Sequence, residues 1–196
     1  MTIDDILSKI VIAKKNNVNP NFDFDELYEC LIEFKREEKL KQEIAKFTVH
    51  GTPTGKARPR VFNNKGITPE KTKEYERLVQ SEYMAQVKHK RRVESNHCIE
   101  LNITAFFEIP KSTPKLKRKA MLTGFIKPAK KPDVDNIYKI IADSLNGIAY
   151  HDDAQIIKGS ITKAYSENPC VVVVIYMLPY ANQNIKTNEL KKYVIK

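Results

Sequence analysis

The sequence predicts an α+β domain in which a mixed β-sheet of about four strands packs against helices. Three observations favour this class. Residues 99–109 alternate between apolar and polar side chains, which is typical of a strand with one buried face. Residues 171–178, VVVVIYML, form a continuous apolar run of strand length. Between them, residues 137–148 carry apolar side chains at helical spacing. Helices and strands therefore share one core.

Three parts are predicted along the chain. Residues 1–45 contain two apolar stripes at helical spacing, separated by asparagines and a proline in residues 16–20, and these predict an N-terminal helical extension. Residues 46–180 hold the α+β domain. Residues 181–196 are predicted to be a polar C-terminal tail.

The first half of the domain begins with a predicted strand at residues 47–50. Thr68 and Pro69 then predict the start of a helix, with Thr68 at the N-cap and Pro69 at the first helical position. This helix is predicted to end in the basic residues 88–92, where positive charge complements a helix C-terminus. The alternating strand at residues 99–109 follows.

The second half contains a short helix within residues 111–131, the helix over 137–148 and two final strands. These strands, residues 155–164 and 170–178, are separated by the turn-forming sequence SENP and are predicted to pair as a hairpin. Because VVVVIYML lacks polar alternation, we expect it to lie centrally in the sheet and to be covered on both faces.

Charge indicates a polyanionic partner. Residues 1–45 carry 10 acidic and 7 basic side chains, a net charge of −3. Because the whole chain has a net charge of +10, the remaining residues carry a net charge of +13. Such a basic body favours nucleic acid or a membrane surface. No basic amphipathic helix with aromatic anchors is evident, so nucleic acid is preferred. The three cysteines lack metal-ligand spacing, and no apolar run is long enough to span a bilayer. A soluble cytoplasmic protein without a membrane partner is expected.

One acidic cluster stands out in this basic setting. Residues 130–155 place six carboxylate or amide side chains around Lys139, namely Asp133, Asp135, Asn136, Asp143, Asp152 and Asp153. Hard cations such as Mg²⁺ take oxygen ligands of this kind. Lys139 lies four residues after Asp135, on the same helix face, where its charge could stabilise a phosphate. The alternative is that Asp135 or Asn136 only caps the helix and Asp152-Asp153 only forms a turn.

Basic side chains flank this cluster. Lys56, Arg58 and Arg60 lie in an extended loop and could hold phosphates, although an ordinary solvated charge run is the alternative. Residues 111–131 contain eight lysines or arginines and no acid, ending in Lys130 and Lys131. Lys163 lies near a strand end, where it could contact DNA or have a structural role.

The segments KPDVDNIYKIIADSLNG and YHDDAQI, in residues 131–156, resemble the signature of RusA-type Holliday junction resolvases. GTPTGKARPR, residues 51–60, is similar to an N-terminal element of that family. The resemblance covers residues 47–178, and residues 1–45 depart from the simplest family pattern. It implies that the catalytic site consists of Asp133, Asp135, Asn136, Lys139 and Asp153.

The resemblance also implies an activity. Asp133, Asp135 and Asp153 would hold one or two Mg²⁺ ions, with Mn²⁺ as an alternative, for hydrolysis of a DNA phosphodiester. Asp152 would support the site without binding metal, and Asp143 could pair with Lys139 and position it. A four-way junction has near two-fold symmetry and needs two cuts, so the resemblance implies a homodimer with two active sites. A bacterial or phage-encoded protein is expected.

Two other functional classes stay open at this point. A non-catalytic DNA-binding protein would have the basic segments without needing three aspartates. A metal-dependent nucleotide-sugar transferase also uses D-x-D, but it needs a nucleotide-binding α/β domain, and the chain has no strand–glycine–helix pattern of that kind.

Overall fold

A computed structural model describes residues 3–15, 23–58, 60–62, 65–88 and 92–181. The chain divides into two compact units, Met1–Lys41 and Gln42–Lys196. The first unit consists of the helices α1 (Ile3–Lys15) and α2 (Phe24–Leu40), which pack against each other. Leu7 and Ile10 of α1 are buried, and the Lys14 ammonium pairs with Asp25. The predicted N-terminal helices are therefore present.

In the residues that the structure describes, the second unit contains a four-stranded sheet, a two-stranded ribbon, three helices and one 3₁₀ turn. In chain order the elements are β1 (Gln42–His50), β2 (Arg60–Phe62), β3 (Lys65–Ile67), α3 (Glu70–Gln86), β4 (His97–Glu108), α4 (Lys115–Leu122), α5 (Val134–Leu145), the 3₁₀ turn (Asp153–Gln155), β5 (Ile156–Ser166) and β6 (Cys170–Ala181). Within the described ranges, no helix combines the length and apolar character needed to cross a bilayer.

The main sheet has the strand order β1-β6-β4-β5. β6 is antiparallel to both of its neighbours, whereas β4 and β5 are parallel. Parallel strands need a crossover connection, and residues 109–155, which contain α4 and α5, supply it. The predicted α+β class with a mixed four-stranded sheet is confirmed.

The predicted hairpin of the last two strands is wrong. β4 lies between β5 and β6, so these strands, although consecutive, are not paired. A short turn sequence makes a hairpin possible but does not select it. The pairing is decided by contacts between distant parts of the chain, because β6 gains two apolar neighbouring strands, β1 and β4, when it lies centrally in the sheet.

The central position predicted for β6 is confirmed, but its coverage is not equal on both faces. Val171, Val173 and Ile175 are fully buried in a core that includes side chains of α3 and α5. Val172 and Val174 point to the opposite face and are only partly buried. One helical layer therefore covers one face of the sheet more completely than the other.

The bounds of other elements differ from prediction by a few residues. β1 begins at Gln42 rather than at residue 47. Pro69, not Thr68, is the N-cap of α3, because the restricted φ of proline suits either the N-cap or the first helical position. α3 ends at Gln86, before the basic residues 88–92, because Val87 adopts an extended conformation and is buried.

Helix α5 carries the strongest apolar stripe. Ile137, Ile140, Ile141 and Leu145 are completely buried, as the helical spacing predicts. α5 packs on α3 and on β5, so its N-terminus is held at one place relative to the sheet. This rigid helix carries the first group of acidic side chains.

Candidate active site

The first acidic group lies at the start of α5. Asp133 is the N-cap residue, with φ −71° and ψ 155°, and its side chain makes no capping hydrogen bond. Its carbonyl oxygen accepts the first helical hydrogen bond, from the Ile137 N–H at 3.1 Å. Asp135 is inside the first turn, so it does not cap the helix. Asp133, Asp135 and Lys139 are exposed. Both carboxylates are therefore open to a ligand from solvent.

The second acidic group precedes β5, and its two aspartates differ. Asp152 caps the 3₁₀ turn, because its carboxylate accepts a hydrogen bond from the Ala154 N–H at 2.9 Å. Asp153 is the first residue of that turn and is exposed. Both aspartates thus belong to a turn, as the alternative for the pair predicts, but only Asp152 uses its carboxylate as the cap, and Asp153 is exposed.

Gln155 holds this turn in place, a role that was not predicted for it. Its side-chain oxygen accepts from the N–H groups of His151 at 2.8 Å and Asp152 at 3.3 Å. Its amide nitrogen donates to the carbonyls of Glu94 at 2.8 Å and His97 at 3.1 Å. The side chain is almost fully buried. The spacing Asp152-x-x-Gln155 is that of a capping box, which is a signal available in the sequence.

Negative charge accumulates around Asp153. Partial burial raises the pKa of Asp153 above its ordinary range, and the nearby charges of Asp152 and Asp143 raise it further. Asp143 lies near the C-terminal end of α5, at the opposite end from Asp133 and Asp135. Within the acidic cluster seen in the sequence, the structure thus associates Asp153 with Asp143 and Asp152.

Lys56 is placed inside the protein's own ion-pair network. Its ammonium contacts Glu76 of α3 and lies 3.0 Å from the Asp143 carboxylate, and the three side chains are only 22–24% exposed. Burial alone would lower the pKa of Lys56, but the hydrogen bonds and attraction of both carboxylates raise it above its ordinary value. The helical spacing suggests an ion pair between Asp143 and Lys139, whereas in the structure Asp143 forms an ion pair with Lys56.

The remaining predicted DNA contacts differ in how far their side chains are available to DNA. Arg58, Lys130 and Lys131 are exposed, as a phosphate contact requires. Arg60 begins β2, and its side chain lies outside the described residues. The Lys163 ammonium donates hydrogen bonds to two backbone carbonyls within the protein. Contact of these residues with DNA, like that of Lys56, stays a prediction.

The donor set suits a hard divalent cation, although it is not assembled in advance. Within the described part of the chain, no group of three or more His, Cys, Asp or Glu side chains is arranged to hold a metal ion. Mg²⁺ usually keeps several waters and is held by one or two carboxylates together with substrate phosphates. The exposed carboxylates of Asp133 and Asp135 provide oxygen donors of this kind on one short segment.

An α+β domain with open carboxylates on a basic chain has the features of a metal-dependent enzyme acting on nucleic acid. Residues 50–176 match the family described as Endodeoxyribonuclease RusA, and this chain belongs to that family. A relative from Bacillus subtilis (strain 168), "Uncharacterized protein YqaN", is 34% identical over 138 residues, which cover 66% of this chain and 94% of the relative. Family members are metal-dependent endodeoxyribonucleases that act on branched DNA. The resemblance seen in the sequence is therefore confirmed.

Proposed function

We propose that this protein is a Mg²⁺-dependent, structure-selective endodeoxyribonuclease that resolves Holliday junctions by paired cuts. It would act in DNA recombination and repair, in the cytoplasm of a bacterium or of a phage-infected host. The observation that carries this proposal is the state of Asp133. Although Asp133 is the N-cap of α5, its side chain makes no capping bond and is exposed. The carboxylate is therefore accessible to a divalent cation from solvent.

The aspartates would hold the metal. Asp133 and Asp135 provide oxygen donors at the start of α5, and Asp153 provides one from the 3₁₀ turn. The bound ion, Mg²⁺ or Mn²⁺, would supply activation of water and stabilisation of charge on the phosphate. Lys139 would either stabilise charge that develops on the cleaved phosphodiester or orient the attacking water.

The basic residues would bind the DNA backbone without reading its sequence. Arg58, Lys130 and Lys131 are exposed and lie in segments that flank Asp133–Asn136 along the chain or in space. Phosphate contacts of this kind supply affinity that is sequence-independent and falls with salt. We further propose a homodimer, because two cuts in a nearly two-fold symmetric junction require two sites related by a two-fold axis.

The test is cleavage of a labelled four-way junction, a flap and a duplex, with and without Mg²⁺. Asp133→Asn, Asp135→Asn and Asp153→Asn should each abolish cleavage and leave junction binding largely intact, because the basic surface supplies the affinity. Asp152→Asn is the matched control, since the amide oxygen can still accept the capping bond from Ala154. A residue whose variant cuts at the wild-type rate in saturating Mg²⁺ is not a required ligand.

One observation favours a second candidate, a non-catalytic DNA-binding protein. The described carboxylates do not form a preassembled group of three. Such a protein would bind the same junction in the presence of a chelator and leave it uncut in Mg²⁺ or Mn²⁺. The cleavage assay above therefore separates the two functions directly.

A further inference from the structure

Lys163 lies on β5, and its ammonium is directed at the segment that leads into α5. It donates one hydrogen bond to the carbonyl oxygen of Lys130 and another, at 3.1 Å, to that of Pro132. Both carbonyls belong to the three residues that precede Asp133. A lysine has three donors, and two of them are used here on the backbone.

An aromatic ring supports the same ammonium. The Lys163 nitrogen lies 5.1 Å from the centre of the Phe107 ring, and the Lys130 nitrogen lies 5.4 Å from the same ring. Phe107 itself is buried in β4, next to β5. Cation–π attraction therefore adds to the two hydrogen bonds in holding the Lys163 side chain against the protein.

The same segment is also contacted by the loop that follows β1. The Lys56 N–H donates to the Asn136 carbonyl at 2.8 Å. A Cβ atom at Gly55 would lie 2.8 Å from the Pro132 Cβ and 3.0 Å from the Asn136 Cβ. Carbon atoms normally approach to about 3.5–4.0 Å, so only glycine fits between these residues without displacing them.

We propose that Lys163 and Gly55 are positioning residues that hold Asp133–Asn136 through two separate sets of contacts, and that Lys163 does so without contacting DNA. The catalytic part of this inference rests on the proposed function, in which Asp133 and Asp135 bind the metal. Lys163 places the entry to α5 through two carbonyls, and Gly55 lets the loop after β1 lie directly against it. A shift of about 1 Å in such a segment can reduce catalysis about a hundred-fold.

The first experiment compares Lys163→Met with Lys158→Met. Lys158 is on the same strand, with its ammonium 3.9 Å from Glu100, so both variants lose one positive charge from β5. Single-turnover cleavage of a four-way junction by saturating protein should fall about a hundred-fold in Lys163→Met only. Junction binding without metal should be measured at several salt concentrations. The slope of the logarithm of the binding constant against the logarithm of the salt concentration, called the salt slope, should be the same in both variants. A slope about 0.9 smaller in Lys163→Met, with an unchanged cleavage rate, would identify a phosphate contact and overturn the proposal.

The second measurement does not depend on activity. Hydrogen–deuterium exchange of residues 130–137 should be faster in Lys163→Met than in the wild type, and unchanged in Lys158→Met. Equal exchange in all three proteins would refute the positioning role. If the wild type cuts no junction, the proposed function fails, and the exchange result still decides this inference.

Gly55→Ala provides a variant in which no charge changes. The added methyl group should push the segment aside, so we expect strong loss of cleavage with unchanged binding affinity and salt slope. Faster exchange across residues 130–137 should accompany that loss. Wild-type cleavage and exchange in a folded Gly55→Ala protein would show that the segment does not depend on this contact.

Discussion

Lys56→Met should destabilise the protein because it leaves two partly buried carboxylates without their shared cation. Lys56 contacts Glu76 and lies 3.0 Å from Asp143, with each side chain about one-fifth to one-quarter exposed. At 3.0 Å, one such pair is worth about 1.4 kcal/mol in bulk water and about 5.5 kcal/mol at an effective dielectric constant of about 20. Desolvation of the charges offsets much of this attraction.

The net loss should lie between those of exposed and buried ion pairs, at about 1–3 kcal/mol. For a chain of this size, that corresponds to a decrease in Tm of roughly 3–9 °C. The assay is urea unfolding at pH 7, with a double-mutant cycle that combines Lys56→Met and Asp143→Asn. We expect a coupling energy of about 0.5–3 kcal/mol between the two positions.

Lys73→Met is the control, because the Lys73–Glu70 pair is on the surface of α3, with a 3.5 Å separation and side chains 43% and 60% exposed. It should cost less than about 0.5 kcal/mol. The raised pKa of Lys56 means that its contribution is complete below the ordinary lysine value of 10.5 and is lost as the pH rises through the higher folded-state value. Equal stability of the two variants at pH 7, or no coupling with Asp143, would refute this reasoning.

Three further predictions use other contacts. The raised pKa of Asp153 means that Mg²⁺-dependent cleavage should decline on acidification at a pH above the ordinary aspartate range, since a protonated carboxyl is a poor ligand. Asp152→Asn should shift that decline to lower pH, and an unchanged midpoint in the pH–rate profile would contradict it. Gly159→Ala should cost about 1–3 kcal/mol in urea unfolding, because the new Cβ would overlap the Tyr138 hydroxyl and lie within 2.9 Å of ring carbons. Adding Tyr138→Ala should remove that clash, so strictly additive losses would argue against it. A chain starting at Gln42 should keep metal-dependent cleavage per folded molecule, since residues 1–41 form a separate unit without a proposed ligand. If the truncated protein is folded and binds the junction but does not cut it, the N-terminal unit is required for cleavage and this prediction is wrong.

Local patterns in the sequence were sufficient to predict α5 and the placement of its acidic side chains. The spacing of Ile137, Ile140, Ile141 and Leu145 requires one buried helix face, and that face is completely buried in the structure. The alternation in residues 99–109 likewise predicted β4, because a strand with one covered face must alternate. These features depend on residues that are neighbours along the chain.

The pairing of strands and the partners of the lysines could not be predicted in this way. The order β1-β6-β4-β5 depends on which distant strand offers the best apolar neighbours, and no local turn sequence encodes that choice. The sequence predicts a phosphate contact or a solvated charge for Lys56, and a DNA contact or a structural role for Lys163, but it does not indicate which groups either lysine contacts within the protein. Their partners, Glu76, Asp143 and the carbonyl of Pro132, come from segments far away along the chain.

The pairing of β1 with β6 places the first strand of the nuclease unit beside the last. The loop that carries Gly55 follows β1, and the Gly51 N–H donates to the Pro169 carbonyl at 3.0 Å, immediately before β6. During synthesis from the N-terminus, Asp133 and Asp153 are therefore made before the strand that completes the sheet. A chain interrupted before Cys170 would contain every proposed metal ligand but would lack β6, the strand that joins β1 to β4 in the sheet. Incomplete products of translation or proteolysis that end before Cys170 should accordingly be unable to cut DNA.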